Sequence, residues 1–181
     1  MSESSTVNIK EEKLGRVERR AYELLDKYHG CAQCSLLAIQ EAYELRDDLL
    51  SKASVVLSGG VGGMRSVCGA LTGASLALGM KYGRDVSVLE GPEEEAIEIE
   101  YAAIEPVAKL SKWFEREFGS ITCRDIRRSF MGTELSRDIP WQKEWMEELG
   151  LHEHCAKIVA KTARRAAAML DNPNLSILDK A

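Results

Sequence analysis

This sequence predicts an all-α fold, a single-domain helical bundle of about six to eight helices. Three observations carry that expectation. Apolar residues recur at three- and four-residue steps over long segments, no segment sustains period-two alternation, and helix start and stop signals partition the chain.

Leu14, Val17, Ala21, Leu24, Leu25 and Tyr28 space an amphipathic helix over Lys10 to Tyr28. His29-Gly30 breaks it, and Cys31 to Leu45 resumes the period with Cys31, Ser35, Ala38, Ala42 and Leu45 on one side, an antiparallel second helix. A third is expected over about 47–57 and is stopped by the glycines of Gly59 to Gly63. From Ser66 to Tyr82 the run Cys68-Gly69-Ala70-Leu71-Thr72-Gly73-Ala74 gives up helix propensity for close approach by a neighbouring helix or a cofactor. Gly83 ends that helix.

Gly91-Pro92-Glu93-Glu94-Glu95 opens the next, with proline near the first turn and carboxylates at the positive end, and it runs to about Phe118. Thr122 as N-cap with Asp125 at N3 starts a short helix to Phe130. Met131 to Pro140 reads as a loop, Trp141 to Leu149 as a short helix, and Leu151 to Leu170 as a long one with Cys155, Ile158, Val159, Thr162, Ala166 and Met169 on one face. Asn172-Pro173-Asn174 stops it. The expected organisation is a flexible tail over 1–9, a single helical domain over 10–171 and a tail over 172–181.

At 181 residues the chain buries a sizeable core without disulfides. A net charge of −5 and a pI near 5.4 argue against nucleic acid as a partner, and Arg127-Arg128 and Arg164-Arg165 read as solvated helix faces. Acidic faces such as Glu93 to Glu95 could dock a basic partner, with plain solvation as the default. The most apolar stretch, Val67 to Met80, is shorter than the roughly 20 residues a bilayer span needs, so no membrane insertion is expected. The polar start lacks a signal-peptide core, and five cysteines without such a signal fit a reducing, cytoplasmic setting.

Cys31, Cys68, Cys123 and Cys155 each fall close behind a helix-start signal. A first helical turn offers unpaired N–H groups and partial positive charge, and both favour thiolate over thiol. Each terminus contributes about 0.3–1 kcal/mol when exposed and up to about 2 when partly buried, so several converging on one anionic centre offset much of its desolvation. Glycine beside the ligands, as at Gly63 and Gly69, admits a bulky centre and lets amides point at its sulfurs. An iron–sulfur cluster makes these demands.

Other readings stand beside it. Cys31-Ala32-Gln33-Cys34 is a C-x-x-C, with Cys34 a candidate redox thiol for cluster-free thiol–disulfide or redox-sensor chemistry, although the thioredoxin setting of a βαβ unit is missing. A structural zinc site or a helical interaction module is the third reading, with His29, His152 and His154 as further candidate ligands. The glycine run lacks the Lys-Ser/Thr of a phosphate loop and follows no strand.

The elements Gly30-Cys31-Ala32-Gln33, Gly62-Gly63-Met64-Arg65-Ser66-Val67-Cys68-Gly69-Ala70-Leu71-Thr72-Gly73-Ala74, Gly79-Met80-Lys81-Tyr82-Gly83, Cys123-Arg124-Asp125-Ile126 and Cys155-Ala156-Lys157-Ile158-Val159 give the chain its resemblance to the C_GCAxxG_C_C family. That family is described as redox-active and is similar to the non-haem, iron–sulfur domain of split-Soret cytochrome c. The resemblance implies a helical domain in which Cys31, Cys68, Cys123 and Cys155 gather as cluster ligands or as a redox thiol set. Cys34 departs from the pattern, where a small residue is usual. The expectation is therefore an electron-transfer protein holding a [2Fe–2S] cluster, with [4Fe–4S] or zinc as alternatives. Its expected partner is a redox protein, and a homodimer is left open.

Overall fold

Among residues 3–136 and 138–175, which this computed structural model describes, the chain forms eight α-helices, two short 3₁₀ turns and no strand. They are α1 (Glu3–Tyr28), α2 (Cys31–Tyr43), α3 (Asp48–Ser54), α4 (Gly69–Tyr82), α5 (Glu93–Phe118), α6 (Cys123–Met131), α7 (Pro140–Glu148) and α8 (Leu151–Asp171). The 3₁₀ turns are Val55–Leu57 and Val86–Glu90. The first extends α3 to the expected end; the second has no apolar period, and the sequence pattern did not assign it. Residues 1, 2 and 176–181 of the expected tails lie outside the described residues.

Two helix starts differ from expectation. α1 begins at Glu3, ahead of Lys10, because extending an existing helix gains a bond per residue at little cost. α4 begins at Gly69, three residues after Ser66, because residues 65–68 spend their backbone groups elsewhere. Cys68 donates its N–H to Ile121 O at 2.8 Å, Cys123 to Ser66 O at 2.7 Å and Arg124 to Arg65 O at 3.0 Å, around an antiparallel bridge between Val67 and Thr122. This short clasp holds the starts of α4 and α6 side by side.

The core forms where α1 packs along α8 and α2, α2 on α4, and α4 on α8 and α5. Leu14, Val17, Ala21, Leu24 and Leu25 of α1 are buried as their spacing requires, while Tyr28 is exposed at the helix end. The small-residue run of α4 serves a neighbouring helix. A Cβ on Gly73 would stand 2.0 Å from Ala32 O of α2, so only glycine permits this contact. The C-terminal carbonyls of α8 are taken up by side chains: Tyr43 Oη donates to Ala167 O at 2.6 Å, Tyr82 Oη to Met169 and Leu170 O at 3.0 Å, and Lys81 Nζ to Leu170 O. The orphan acceptors Met169 O and Leu170 O are thereby satisfied, and Ala168 O accepts from the Asn172 N–H at 3.1 Å.

Candidate redox site

Four elements deliver one cysteine each to a single cavity of about 540 Å³ lined by Cys31, Cys68, Cys123 and Cys155. Cys31 is the first residue of α2, placed by Gly30, whose φ of 76° makes the left-handed turn out of α1. Cys68 is the N-cap of α4 and Cys123 the first residue of α6. Thr122 caps α6: its Oγ1 accepts from the Asp125 N–H at 3.1 Å and donates to Asp125 Oδ2 at 2.7 Å. Cys155 departs from the expected first-turn position. It is the fifth residue of α8, and the N–H of His154 already bonds Gly150 O at 3.0 Å, so the open amides lie a turn earlier. Cys155 therefore reaches the cavity by its place on the inner face of α8.

The glycine loop forms the opposite wall. Residues 59–63 all have positive φ, including Val61 at 59°, and Arg65 follows at 61°. A non-glycine residue pays roughly 1–2 kcal/mol there, which the loop's own hydrogen bonds offset, among them Gly62 N–H to Val56 O at 2.7 Å and Arg65 N–H to Gly59 O at 2.9 Å. The turn brings Gly63 to the cavity, with open space where its Cβ would be, and aims the Gly59 N–H at Cys31 Sγ, 3.5 Å away. Gly69 sits behind that sulfur: a Cβ there would stand 2.3 Å from Cys31 Sγ.

Burial pushes the Cys68 thiol strongly upward, and negative charge on Cys31, Cys123 or Cys155 adds to the push, while the Ala70 N–H opposes it. Cys123 is also raised by burial, but Arg127 and Arg65 pull it down. Cys68 and Cys123 thus resist ionising together unless a cation or metal centre shares their charge.

Arg65 and Arg127 line the cavity, and the sequence pattern missed them. Arg127 was expected on a solvated face; instead it turns inward beside Cys123 and donates Nη2 to Met146 Sδ at 2.8 Å, while Arg128 stays exposed. Position 127 is i+4 from Cys123, so their common helix face was legible once the Thr122 cap set the frame. Arg165 likewise leaves the expected solvated face and is buried over the Trp113 ring at 5.5 Å, whereas Arg164 pairs with Glu11 and Glu18. In both pairs the inner member follows the helix's buried stripe.

Cys34 does not join the cavity. It is buried, its Sγ–H donates to His29 O at 2.8 Å, and burial, with the charge of Cys31 behind it, pushes its pKa up to about 12. His29 and His152 line the cavity with ring centroids 4.4 Å apart, and His152 Nε2 lies 3.1 Å from Asp26 O. His154 stacks on Phe130 at 4.0 Å, away from the cavity lining. Among the described residues no three His, Cys, Asp or Glu side chains converge closely enough to hold a single metal ion, and no disulfide joins any two of the cysteines. Nor is any helix among them long and apolar enough to cross a membrane.

The family described as "Putative redox-active protein (C_GCAxxG_C_C)" matches residues 29–169. A curated protein of Archaeoglobus fulgidus, itself described as uncharacterized, is 31% identical over 120 residues, which cover 64% of this chain and 76% of the relative. No solved structure matches. All four motif cysteines that line the cavity lie within the matched span, and the chain belongs to the C_GCAxxG_C_C family of redox-active proteins.

Proposed function

We propose that the protein binds an iron–sulfur cluster through Cys31, Cys68, Cys123 and Cys155 and exchanges electrons with a partner protein. The observation that carries this reading is the delivery of one sulfur from each of four elements to one cavity. The donor set fits the group. Four thiols line a void larger than one ion fills, and among the described residues no three ligands close on a single-ion centre, which favours a polynuclear centre over mononuclear zinc. The cradle fits as well, since glycine at 63 leaves its side of the cavity open and the Gly59 amide points at sulfur.

Such a cluster, when bound, supplies one-electron redox chemistry. The chain's own residues do the rest. The helix starts at Cys31, Cys68 and Cys123 present amides to developing thiolate charge. Arg65 and Arg127 offset negative charge at Cys123, and Leu25, Ala70, Ile126, Ile158 and Val159 keep that wall apolar. Such surroundings tune a cluster's potential through charge, hydrogen bonding and exclusion of water.

The test is anaerobic reconstitution of the full chain with iron and sulfide, followed by metal and labile-sulfide analysis, visible absorption and electron paramagnetic resonance. Two irons and two sulfides per chain are expected, with loss of the chromophore in Cys68→Ser and Cys123→Ser variants that still melt cooperatively. Four irons per chain would keep the site and overturn the two-iron nuclearity. No bound iron, or one zinc per chain without a redox response, would overturn the cluster.

A further inference from the structure

The N-terminal half of α5 carries a surface that the redox cavity does not use. Over residues 93–105 only Ala96 is buried. Ile97, Tyr101, Ile104 and Ala108 follow steps of four, three and four residues, so they form one stripe. The stripe is exposed, with Ile97 at 41%, Tyr101 at 71% and Ile104 at 50%. On the 3₁₀ turn that packs against α5, Val86 and Leu89 are also open to solvent. A helix in water has no intrinsic reason to point this line outward, because each large apolar side chain left exposed forgoes the gain of leaving water.

Carboxylates flank the stripe on both sides. Glu93 and Glu100 lie along one edge and Glu98 and Glu105 along the other, at the positions that set partner choice in paired helices, and Glu94 closes the N-terminal end of the stripe. Residues 85–105 hold eight carboxylates and no Lys or Arg, in a chain whose whole net charge is −5. Glu100 is paired with Arg84 at 3.1 Å and Glu105 with Lys109 at 2.7 Å, while among the described residues Glu93, Glu94 and Glu98 are exposed without a salt bridge. Seating a second copy on this face in parallel would set Glu93 against Glu98 and Glu100 against Glu105. Like charges at those positions oppose pairing.

We propose that this stripe of α5 is a docking surface for a partner protein presenting an apolar helix flanked by Lys and Arg. The surface lies at the far end of α4 from the cavity. Arg84, just past α4, donates to Ala96 O at 2.7 Å, and the 14 residues of α4 separate that end from Cys68 by about 21 Å. The start of the stripe is thereby set at the end of α4 opposite Cys68. This inference does not depend on which cofactor the cysteines hold.

The test uses the full-length chain and two synthetic helical peptides, both with Leu at the a and d positions, one with Lys and one with Glu at e and g. Fluorescence anisotropy should show saturable binding of the Lys peptide, weakened by salt, and none of the Glu peptide. Tyr101→Ala with Ile104→Ala, and separately Glu98→Lys with Glu105→Lys, should each weaken the Lys peptide about tenfold or more, as expected for central anchors and complementary charge. Glu147→Lys on α7 should leave binding unchanged, and thermal melts should show all variants folded. Equal binding of both peptides, no saturable binding of the Lys peptide, or unchanged affinity in both double variants would overturn the proposal. So would sedimentation showing wild-type self-association that Tyr101→Ala abolishes.

Discussion

At the residue scale, α4 holds two glycines whose replacement by alanine has opposite consequences. Gly73 meets the Ala32 carbonyl of α2, and an added methyl has only backbone to push against. Gly79, on the same helix, has nothing within 4 Å of its would-be Cβ. We predict that Gly73→Ala costs about 3 kcal/mol or more through overpacking, and that Gly79→Ala gains about 0.5–1 kcal/mol from helix propensity. Urea unfolding of the two variants checks this. Equal destabilisation would mean that α2 and α4 are not in this close contact. Sequence alone put Gly73 in a small-residue run open to a neighbouring helix or a cofactor, since identity does not reveal which side faces a neighbour's backbone.

At the scale of elements, the short helix α6 depends on its cap. Nine residues form few internal bonds, and nucleation is costly, so the Thr122–Asp125 box supplies a large share of what keeps the helix start in place. Thr122→Ala should lower stability by about 1 kcal/mol. It should also speed alkylation of Cys123 in the metal-free protein more than that of Cys155, because the Thr122 side chain caps the turn that carries Cys123. Peptide mapping after timed alkylation reads this directly. Uniform acceleration at both cysteines would point to global loosening instead. The cap was legible from Thr122 and Asp125, and with it the place of Cys123 at a helix start, whereas Arg127 was read as solvated. The bridge between Val67 and Thr122 was not legible, because a single pair of residues has no period to betray it.

For the whole molecule, the buried thiols tie stability to pH on the alkaline side. Cys34 is held by burial and the neighbouring Cys31 charge at a pKa of about 12, against 9.0 for an ordinary thiol. A raised folded-state value means that the folded form keeps its proton while the unfolded chain releases it. The contribution is thus complete below pH 9 and is lost as pH rises from about 9 towards 12. Denaturation of the metal-free protein at a series of alkaline pH values should show a decline that is shallower in Cys34→Ala. It should not vanish, because Cys68 and Cys123 are raised as well. Parallel curves for the variant and the wild type would show that Cys34 ionises freely in the fold.

Periodicity and caps determined by themselves where most helices run, because burial of one stripe and satisfaction of end amides are local demands written into spacing. They also placed Cys31, Cys68 and Cys123 at helix starts. Tertiary structure alone decided that these sulfurs and Cys155 share a cavity, that Arg127 joins them while Cys34 turns away, and that Gly73 is reserved for α2. Those outcomes depend on which surfaces meet across more than a hundred residues of chain. The reason is physical: a residue's period fixes its direction around its own helix axis, whereas convergence depends on how separate axes pack and on clasps, such as Val67 with Thr122, that local patterning does not encode.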